Sequence, residues 1–168
     1  NTVMMRGVND GEFADLVEFA IDRDLDISFI EEMPLGNIHD RRKVLTSDEA
    51  LDRLSTRFRL LPSAESSGGP ARYWRIPGSE TRVGFISPHS HNFCDDCNRV
   101  RVSAEGRLLL CLGQEHSADL KYTLRAYPGD RERLKRAIVA AMALKPRGHD
   151  FQLGGQPVIL RHMNHTGG

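Results

Sequence analysis

The first part of the chain alternates apolar and polar positions in the order strand, helix, strand. Residues 2–5 form a short apolar run, and Leu25, Ile27 and Phe29 alternate with neighbours such as Asp26, as in a half-buried strand. Between these two runs, apolar residues recur along one helical face, at Phe13, Leu16, Val17, Ala20 and Ile21. A single β-α-β unit cannot bury both of its faces, so the pattern predicts the end of a larger parallel sheet or barrel.

Capping patterns predict where the helices begin. Asn9 is followed three residues later by Glu12, and Thr46 by Glu49, which is the spacing of a capping box. Asp130 precedes the last apolar-periodic stretch and predicts a third helix start.

The C-terminal part of the chain has a different pattern, which predicts a hairpin, a helix and a short strand. Residues 72–76 and 81–86 fit two strands of a hairpin, joined through a Pro-Gly-Ser-Glu turn. A final helix is expected to end before Pro146, and residues 157–160 fit a short strand. The apolar face of that helix comprises Leu134, Ala137, Ile138, Ala141 and Met142.

These patterns divide the chain into three predicted segments. Residues 1–35 fit the end of a larger parallel sheet or barrel, residues 36–70 a connecting helix and loop, and residues 71–168 a C-terminal domain. The fold class expected is therefore α/β.

Composition narrows the class of protein without identifying it. The formal net charge is zero and 39% of the residues are hydrophobic, so charge gives no argument for a nucleic-acid or membrane partner. The opening residues have no basic segment followed by an apolar one, so they do not predict a signal peptide. We expect a cytoplasmic protein, and a chain that opens at Asn1 is expected to be a piece of a longer one.

The cysteines offer the clearest chemistry. Cys94, Cys97 and Cys111 are the only three, and an odd number that includes a Cys-x-x-Cys pair is not typical of a secreted disulfide framework. Alternation on either side of a turn at residues 104–106 predicts a hairpin that places Cys111 opposite Arg99.

Spacing alone leaves three interpretations of these thiols open. Three cysteines can hold a 4Fe–4S cluster whose fourth iron keeps an open position. A zinc site would need a fourth ligand, for which His89, His91 or His116 could serve. The third interpretation is a redox-active Cys-x-x-Cys with Cys111 as a bystander.

Two further features suggest a binding site for an anion and a close approach of the backbone to a ligand. Arg99 and Arg101 lie two residues apart on the same predicted strand face, which suits a phosphate chain, although a solvated sheet face has the same pattern. Gly167 and Gly168 could let the backbone approach a ligand closely, or could form a frayed tail.

The segment FCDDCNRVRVSAEGRLLLCLGQ resembles the GTP 3′,8-cyclases, the radical S-adenosylmethionine enzymes of molybdopterin biosynthesis. The resemblance extends to NTVMMRGVND, FIEEMPLG, GFISPHSHNFC and RHMNHTGG, and so covers nearly the whole chain. It implies the last β-α-β part of an incomplete (β/α)6 radical-SAM barrel of the TIM type, followed by a C-terminal α+β iron–sulfur domain.

The resemblance also implies roles for individual residues. Cys94, Cys97 and Cys111 match the three ligands of a 4Fe–4S cluster whose open iron binds the guanine base. The stretch Arg99, Val100 and Arg101 matches the GTP-binding residues, with both arginines on the triphosphate, and Met33 matches a position that lines the S-adenosylmethionine site. Gly167 and Gly168 match the tail that the radical chemistry needs.

For the whole enzyme, the resemblance implies conversion of GTP to 3′,8-cyclo-7,8-dihydro-GTP. A second 4Fe–4S cluster, held by Cys-x3-Cys-x2-Cys, cleaves S-adenosylmethionine to supply the radical. Cyclic pyranopterin monophosphate synthase acts downstream, and a homodimer is possible.

This chain departs from the family pattern in two ways. It contains no Cys-x3-Cys-x2-Cys, so we expect that it generates no radical alone, and Ser28 stands where many relatives have arginine. Two other functions remain open beside the cyclase: a zinc-stabilised module without catalysis, and a degenerate regulatory or scaffold relative.

Overall fold

The computed structural model of the protein describes residues 1–35, 40–149, 151, 159, 161 and 163–166, without the side chains of Arg41 and Asn164. The chain forms two compact units. The first comprises Asn1–Met33 and Asp40–Phe93, and the second comprises the described residues from Cys94 onward together with Pro34 and Leu35.

The first unit is a mixed five-stranded sheet with two helices. Its strands lie in the order β1-β2-β5-β4-β3, in which β1, β2 and β5 are parallel while β3 and β4 are antiparallel to their neighbours. Its elements are β1 (Thr2–Met4), α1 (Phe13–Ile21), β2 (Ile27–Glu31), α2 (Ser47–Ser55), β3 (Leu61–Ser63), β4 (Arg72–Arg75) and β5 (Arg82–Ile86).

Aromatic side chains build the core of this unit. The ring of Phe29 on β2 lies 5.0 Å from that of Phe13 on α1 and 5.8 Å from that of Phe85 on β5, measured between centroids. Trp74 on β4 meets Phe85 edge to face at 5.1 Å. Because such pairs add to the free energy of burial, they fix β5 beside β2.

The predicted elements of the β-α-β segment are present, with one correction at a helix start. Glu12, and not Asn9, stands at the N-cap position of helix α1, and its side chain makes no capping hydrogen bond. The Asn9 side chain instead accepts from the Met5 N–H at 2.9 Å and donates to the Val3 carbonyl at 2.8 Å. Asn9 therefore ties down the turn that leaves β1, a local bond that competes with capping.

The second predicted helix start is confirmed. The Thr46 side chain accepts from the Glu49 N–H, and the Glu49 carboxylate accepts from the Thr46 N–H at 3.0 Å, which completes the capping box of α2.

The hairpin predicted at residues 72–86 is also confirmed, but its neighbours differ from the expectation. We grouped residues 71–168 together, whereas β5 pairs in parallel with β2, with Phe29 opposite Phe85. The strand β3 falls within residues 36–70, where we expected only a helix and a loop. Compact packing thus divides the chain after Phe93 rather than after residue 70.

The second unit is a smaller α+β structure. Its antiparallel sheet has the order β6-β7-β8, formed by β6 (Arg101–Val102), β7 (Arg107–Leu109) and β8 (Ser117–Asp119). Helices α3 (Leu120–Ala126) and α4 (Arg131–Met142) follow. One buried cluster in this unit comprises Leu108, Leu110, Leu120 and Ala141.

The last helix follows the sequence pattern closely. The Asp130 side chain caps α4 by accepting from the Arg133 N–H at 2.9 Å, as predicted. Leu134, Ala137 and Ile138 pack against the core, but Met142 at the end of the helix is 38% exposed. Among the described residues, none of the helices is long and apolar enough to cross a bilayer.

Residues 157–160, for which we predicted a strand, lie outside the described residues except for Ile159. Ile159 is buried and forms an isolated parallel bridge with Leu35.

Candidate metal centre

A short hairpin brings the three cysteines together. Residues Cys94–Asp96 form one turn of 3-10 helix, and the Cys97 N–H donates to the Cys94 carbonyl at 3.1 Å. In the ladder that follows, Arg101 pairs with Leu109 and Val102 with Leu108. Continued by two residues, this register places Cys111 opposite Arg99, as the sequence predicts.

The turn of this hairpin explains the spacing between the second and third cysteine. The Gly106 N–H donates to the Ser103 carbonyl, and Gly106 adopts a φ of 78° that favours glycine. The chain therefore reverses tightly and returns Cys111 to the end from which Cys97 departs.

The three thiols are half-buried, and two of them act on the pKa of the third. None of the three is in a disulfide. Burial raises the pKa of the Cys111 thiol; the Gly113 N–H and the Lys145 ammonium act in the opposite direction, and the neighbouring Cys94 and Cys97 raise it again. The three sulfurs are thus close enough for the charge of one to affect another.

Within the part of the chain that the structure describes, no three His, Cys, Asp or Glu side chains converge to hold one metal ion. A four-iron cube makes a different demand, because each thiolate binds a separate iron at its own corner.

The segment after α4 lies against the loops that carry the cysteines, through Lys145, Gly148 and His149. Lys145 Nζ lies 4.0 Å from Cys97 Sγ. A Cβ atom on Gly148 would lie 3.8 Å from Cys94 Sγ, and one on Gly113 would lie 2.5 Å from His149 Cβ. The segment therefore approaches the cysteine loops closely at each end.

Arg161 holds the loop that carries Cys111. Its guanidinium, with 10% of the side chain exposed, pairs with the Glu115 carboxylate. It also donates to the carbonyls of Cys111 and Leu112, at 3.2 Å each, and to that of Gln114. A charged group with so many acceptors fixes the backbone of the third cysteine.

The predicted triphosphate-binding stretch lies on the outgoing arm of the hairpin. Arg99 and Val100 are exposed, and Arg101 is half-buried on β6. The structure therefore places the two arginines between Cys97 and the turn.

Met33 and Ser28 belong to the first unit. Met33 follows the carboxyl end of β2 by two residues, and Ser28 lies within β2, opposite Gly84 of β5. Gly167 and Gly168 lie outside the described residues, so their predicted role stays a prediction.

The histidines considered as zinc ligands have other partners. His89 and His91 belong to the first unit, where His89 Nε2 lies 3.0 Å from the Glu32 carbonyl and His91 Nε2 lies 3.1 Å from the Asp48 carboxylate. His116 Nδ1 lies 2.8 Å from Gln114 Oε1.

Sequence reasoning missed Lys145, Gly148 and Arg161. Lys145 and Gly148 lie in the string KPRGHDF shortly after the last helix, and Arg161 opens the string RHMNHTGG, but neither string indicates a contact with the cysteine loops. A Lys-Pro pair after a helix could equally end it in solvent.

Comparison with known proteins places the chain in context. It is 61% identical over 172 residues to the GTP 3′,8-cyclase of Pseudomonas putida strain GB-1, and the match covers 100% of this chain and 52% of that protein. The GTP 3′,8-cyclases of Marinobacter nauticus and Saccharophagus degradans are 59% and 55% identical over 171 residues, with the same coverage. The chain thus spans about half the length of the curated relatives it matches.

The family model described as Molybdenum Cofactor Synthesis C matches residues 25–151, which is more than half of the chain and includes all three cysteines, both arginines and Lys145. Since a family model and full-length coverage by similar relatives agree, the chain belongs to the Molybdenum Cofactor Synthesis C family.

Proposed function

We propose that this chain is the GTP-binding iron–sulfur half of a GTP 3′,8-cyclase, which converts GTP to 3′,8-cyclo-7,8-dihydro-GTP. The observation that carries the proposal is one hairpin that gathers three half-buried cysteines at its end and carries Arg99 and Arg101 on its outgoing arm. The names of relatives that match the entire chain support it.

The residues fit a 4Fe–4S cluster by their chemistry. Cys94, Cys97 and Cys111 are half-buried and form no disulfide. Cysteine thiolates are the ligands that hold such clusters. When bound with three protein ligands, the cluster would supply an open iron position for the guanine base of GTP.

The chain's own arginines would hold the other end of the nucleotide. Arg99 and Arg101 present planar guanidinium groups, which can each grip two phosphate oxygens. Holding the base and the triphosphate together orients the ribose between them. Positioning of this kind contributes up to about 7–11 kcal/mol to catalysis.

Three finer assignments belong to this proposal. Met33 would line the S-adenosylmethionine site, and Gly167 and Gly168 would assist the radical chemistry. The radical itself would come from a second cluster for which this chain has no Cys-x3-Cys-x2-Cys motif. The homodimer, the downstream cyclic pyranopterin monophosphate synthase and a cytoplasmic location also stay predictions.

The test is anaerobic reconstitution of the chain with iron and sulfide, followed by equilibrium dialysis against labelled GTP. We expect four irons per chain, broad visible absorption, and saturable GTP binding. The double variant Arg99→Ala/Arg101→Ala should weaken that binding by roughly a hundredfold, because each charge-assisted hydrogen bond contributes about 1.5–3 kcal/mol.

A matched control uses two exposed arginines of α4, in the variant Arg131→Ala/Arg136→Ala, which should bind GTP as the wild type does. Colourless protein with one zinc and no iron would reject the proposal in favour of a zinc-stabilised module. Unchanged GTP affinity in the Arg99/Arg101 variant would remove the triphosphate assignment.

A further inference from the structure

Lys145 joins the two arms of the cysteine hairpin. Its ammonium donates to the Leu110 carbonyl at 2.9 Å and to the Arg99 carbonyl at 3.0 Å. Leu110 precedes the third cysteine and Arg99 follows the second by two residues. One side chain therefore fixes the backbone next to both Cys97 and Cys111.

The same ammonium lies beside a sulfur. Nζ is 4.0 Å from Cys97 Sγ, and its two carbonyl bonds hold it there. An ammonium has three donors, so the two carbonyls use two of them and leave the third for the sulfur.

The local chain directs Lys145 inward. Helix α4 ends at Met142, and the Lys145 N–H donates to the Met142 carbonyl at 3.1 Å. Pro146 follows and prevents the helix from continuing. By contrast, Lys135 within α4 pairs with Glu132 and has a side chain that is 70% exposed.

We propose that Lys145 is a positioning residue of the cysteine site, which locks the hairpin arms at the spacing the cluster needs and stabilises negative charge on the cluster beside Cys97. The inference rests on the proposed function, since it assigns the residue to the iron–sulfur site, but nothing in it depends on GTP.

Two measurable properties follow from the geometry. Fixed arms slow the loss of iron, because a ligand must move before its iron can leave. A positive charge about 4 Å from a ligand sulfur favours the cluster state that carries one more electron, since Coulomb energy at that distance is substantial away from bulk water. Lys145 should therefore raise the midpoint potential.

The experiment compares Lys145→Gln, Lys145→Arg and the control Lys135→Gln with the wild type, each reconstituted anaerobically. Circular dichroism checks folding, a chelator measures the rate of iron release, and a redox titration followed by electron paramagnetic resonance measures the midpoint potential. Glutamine keeps N–H donors without charge, and arginine keeps the charge.

We expect Lys145→Gln to release iron several-fold faster and to show a more negative midpoint potential, while Lys135→Gln matches the wild type. Lys145→Arg should keep a midpoint potential close to that of the wild type, because arginine keeps the positive charge. Its larger head group can still make iron release somewhat faster. If Lys145→Gln fails to fold, Lys145→Arg still decides. A midpoint potential clearly more negative in Lys145→Arg than in the wild type, although the positive charge is retained, overturns the inference.

The two failures are distinguishable. Lys145→Gln protein with wild-type iron release and wild-type potential overturns the role of Lys145 while the cluster proposal stands. Wild-type protein that takes up no iron overturns the proposed function, and the inference falls with it.

Discussion

At the scale of single residues, Glu31 is 1% exposed and its carboxylate is surrounded by hydrogen-bond donors. It accepts from the Ser47 N–H at 2.8 Å, the His89 N–H at 2.9 Å and the Ser90 N–H at 3.1 Å, and also from the Ser90 hydroxyl. These donors belong to the start of α2 and to the loop after β5. Glu31 thus ties both to the carboxyl end of β2, two residues before Met33.

The pKa of Glu31 sets a pH dependence. Burial pushes this pKa upward, but the hydrogen bonds from Ser90, Ser47 and His89 outweigh burial and leave it below the ordinary value of 4.5. A carboxyl group whose pKa is lowered by folding stabilises the folded state above its unfolded pKa. That contribution is lost as the pH falls below about 4.5 and through the folded pKa.

We predict that Glu31→Gln lowers the free energy of unfolding at pH 7 by about 1–3 kcal/mol, because the amide NH2 faces donors that lose their acceptor. The variant should also lose part of the acid destabilisation that the wild type shows below pH 4.5. Urea unfolding at several pH values measures both, with the exposed Glu132→Gln as control. Equal pH slopes in Glu31→Gln and wild type would contradict this role.

Residues differed in how well the sequence predicted them. Cysteine spacing and the turn at Gly106 foretold the register that places Cys111 opposite Arg99, because a tight turn fixes pairing locally. Lys145, Arg161 and Glu31 gave no comparable signal. Their partners are backbone groups up to 59 positions away in sequence, which no local pattern encodes.

At the scale of elements, β5 is threaded between two strands that leave no room for a side chain at Gly84. A Cβ atom there would lie 2.8 Å from Ser28 Oγ on β2 and 2.9 Å from a ring carbon of Tyr73 on β4. Ser28 pairs with Gly84 in the parallel ladder, so its small side chain lies against this glycine.

We predict that Gly84→Ala destabilises the chain by about 1–3 kcal/mol, because overpacking a filled site forces its neighbours to shift. Gly11→Ala is the matched control, since nothing lies within 4 Å of its added Cβ atom. Thermal and urea unfolding give the comparison.

The partner of this clash is testable as well. Ser28→Ala removes the oxygen nearest to the new methyl group, so the double variant Ser28→Ala/Gly84→Ala should recover part of the loss. Additive losses from the two single changes would show that Tyr73, and not Ser28, limits the space.

Among the elements, the start of a helix could be predicted from local sequence, but the pairing of distant strands could not. The capping box at Thr46 predicted α2 because its bonds are made within one turn. The helix start predicted at Asn9 was wrong, because its side chain instead forms hydrogen bonds with the backbone of Met5 and Val3. The parallel pairing of β5 with β2 depends on Phe29 meeting Phe85 across the core, and their sequence spacing carries no sign of it.

At the scale of the whole molecule, the two units differ in how they are stabilised. The first has a continuous core that includes Phe13, Phe29, Phe85, Leu45 and Leu54. In the second unit, the described residues form a smaller buried cluster of Leu108, Leu110, Leu120 and Ala141. A metal centre that links the arms of a hairpin adds stability to such a unit.

We therefore predict that iron loading protects the two units unequally. Reconstitution should slow hydrogen exchange at the amides of β6, β7 and β8 by at least tenfold, because cluster ligation joins both arms of the hairpin and stabilises only states in which they are paired. The amides of β2 and β5 should exchange at the same rate with and without iron, since the aromatic core already protects them. Mass spectrometry of peptides from each sheet makes the comparison within one sample. Equal protection of both sheets would mean that ligation stabilises the chain as one cooperative body, and no slowing at β7 would mean that the hairpin is rigid before any iron binds.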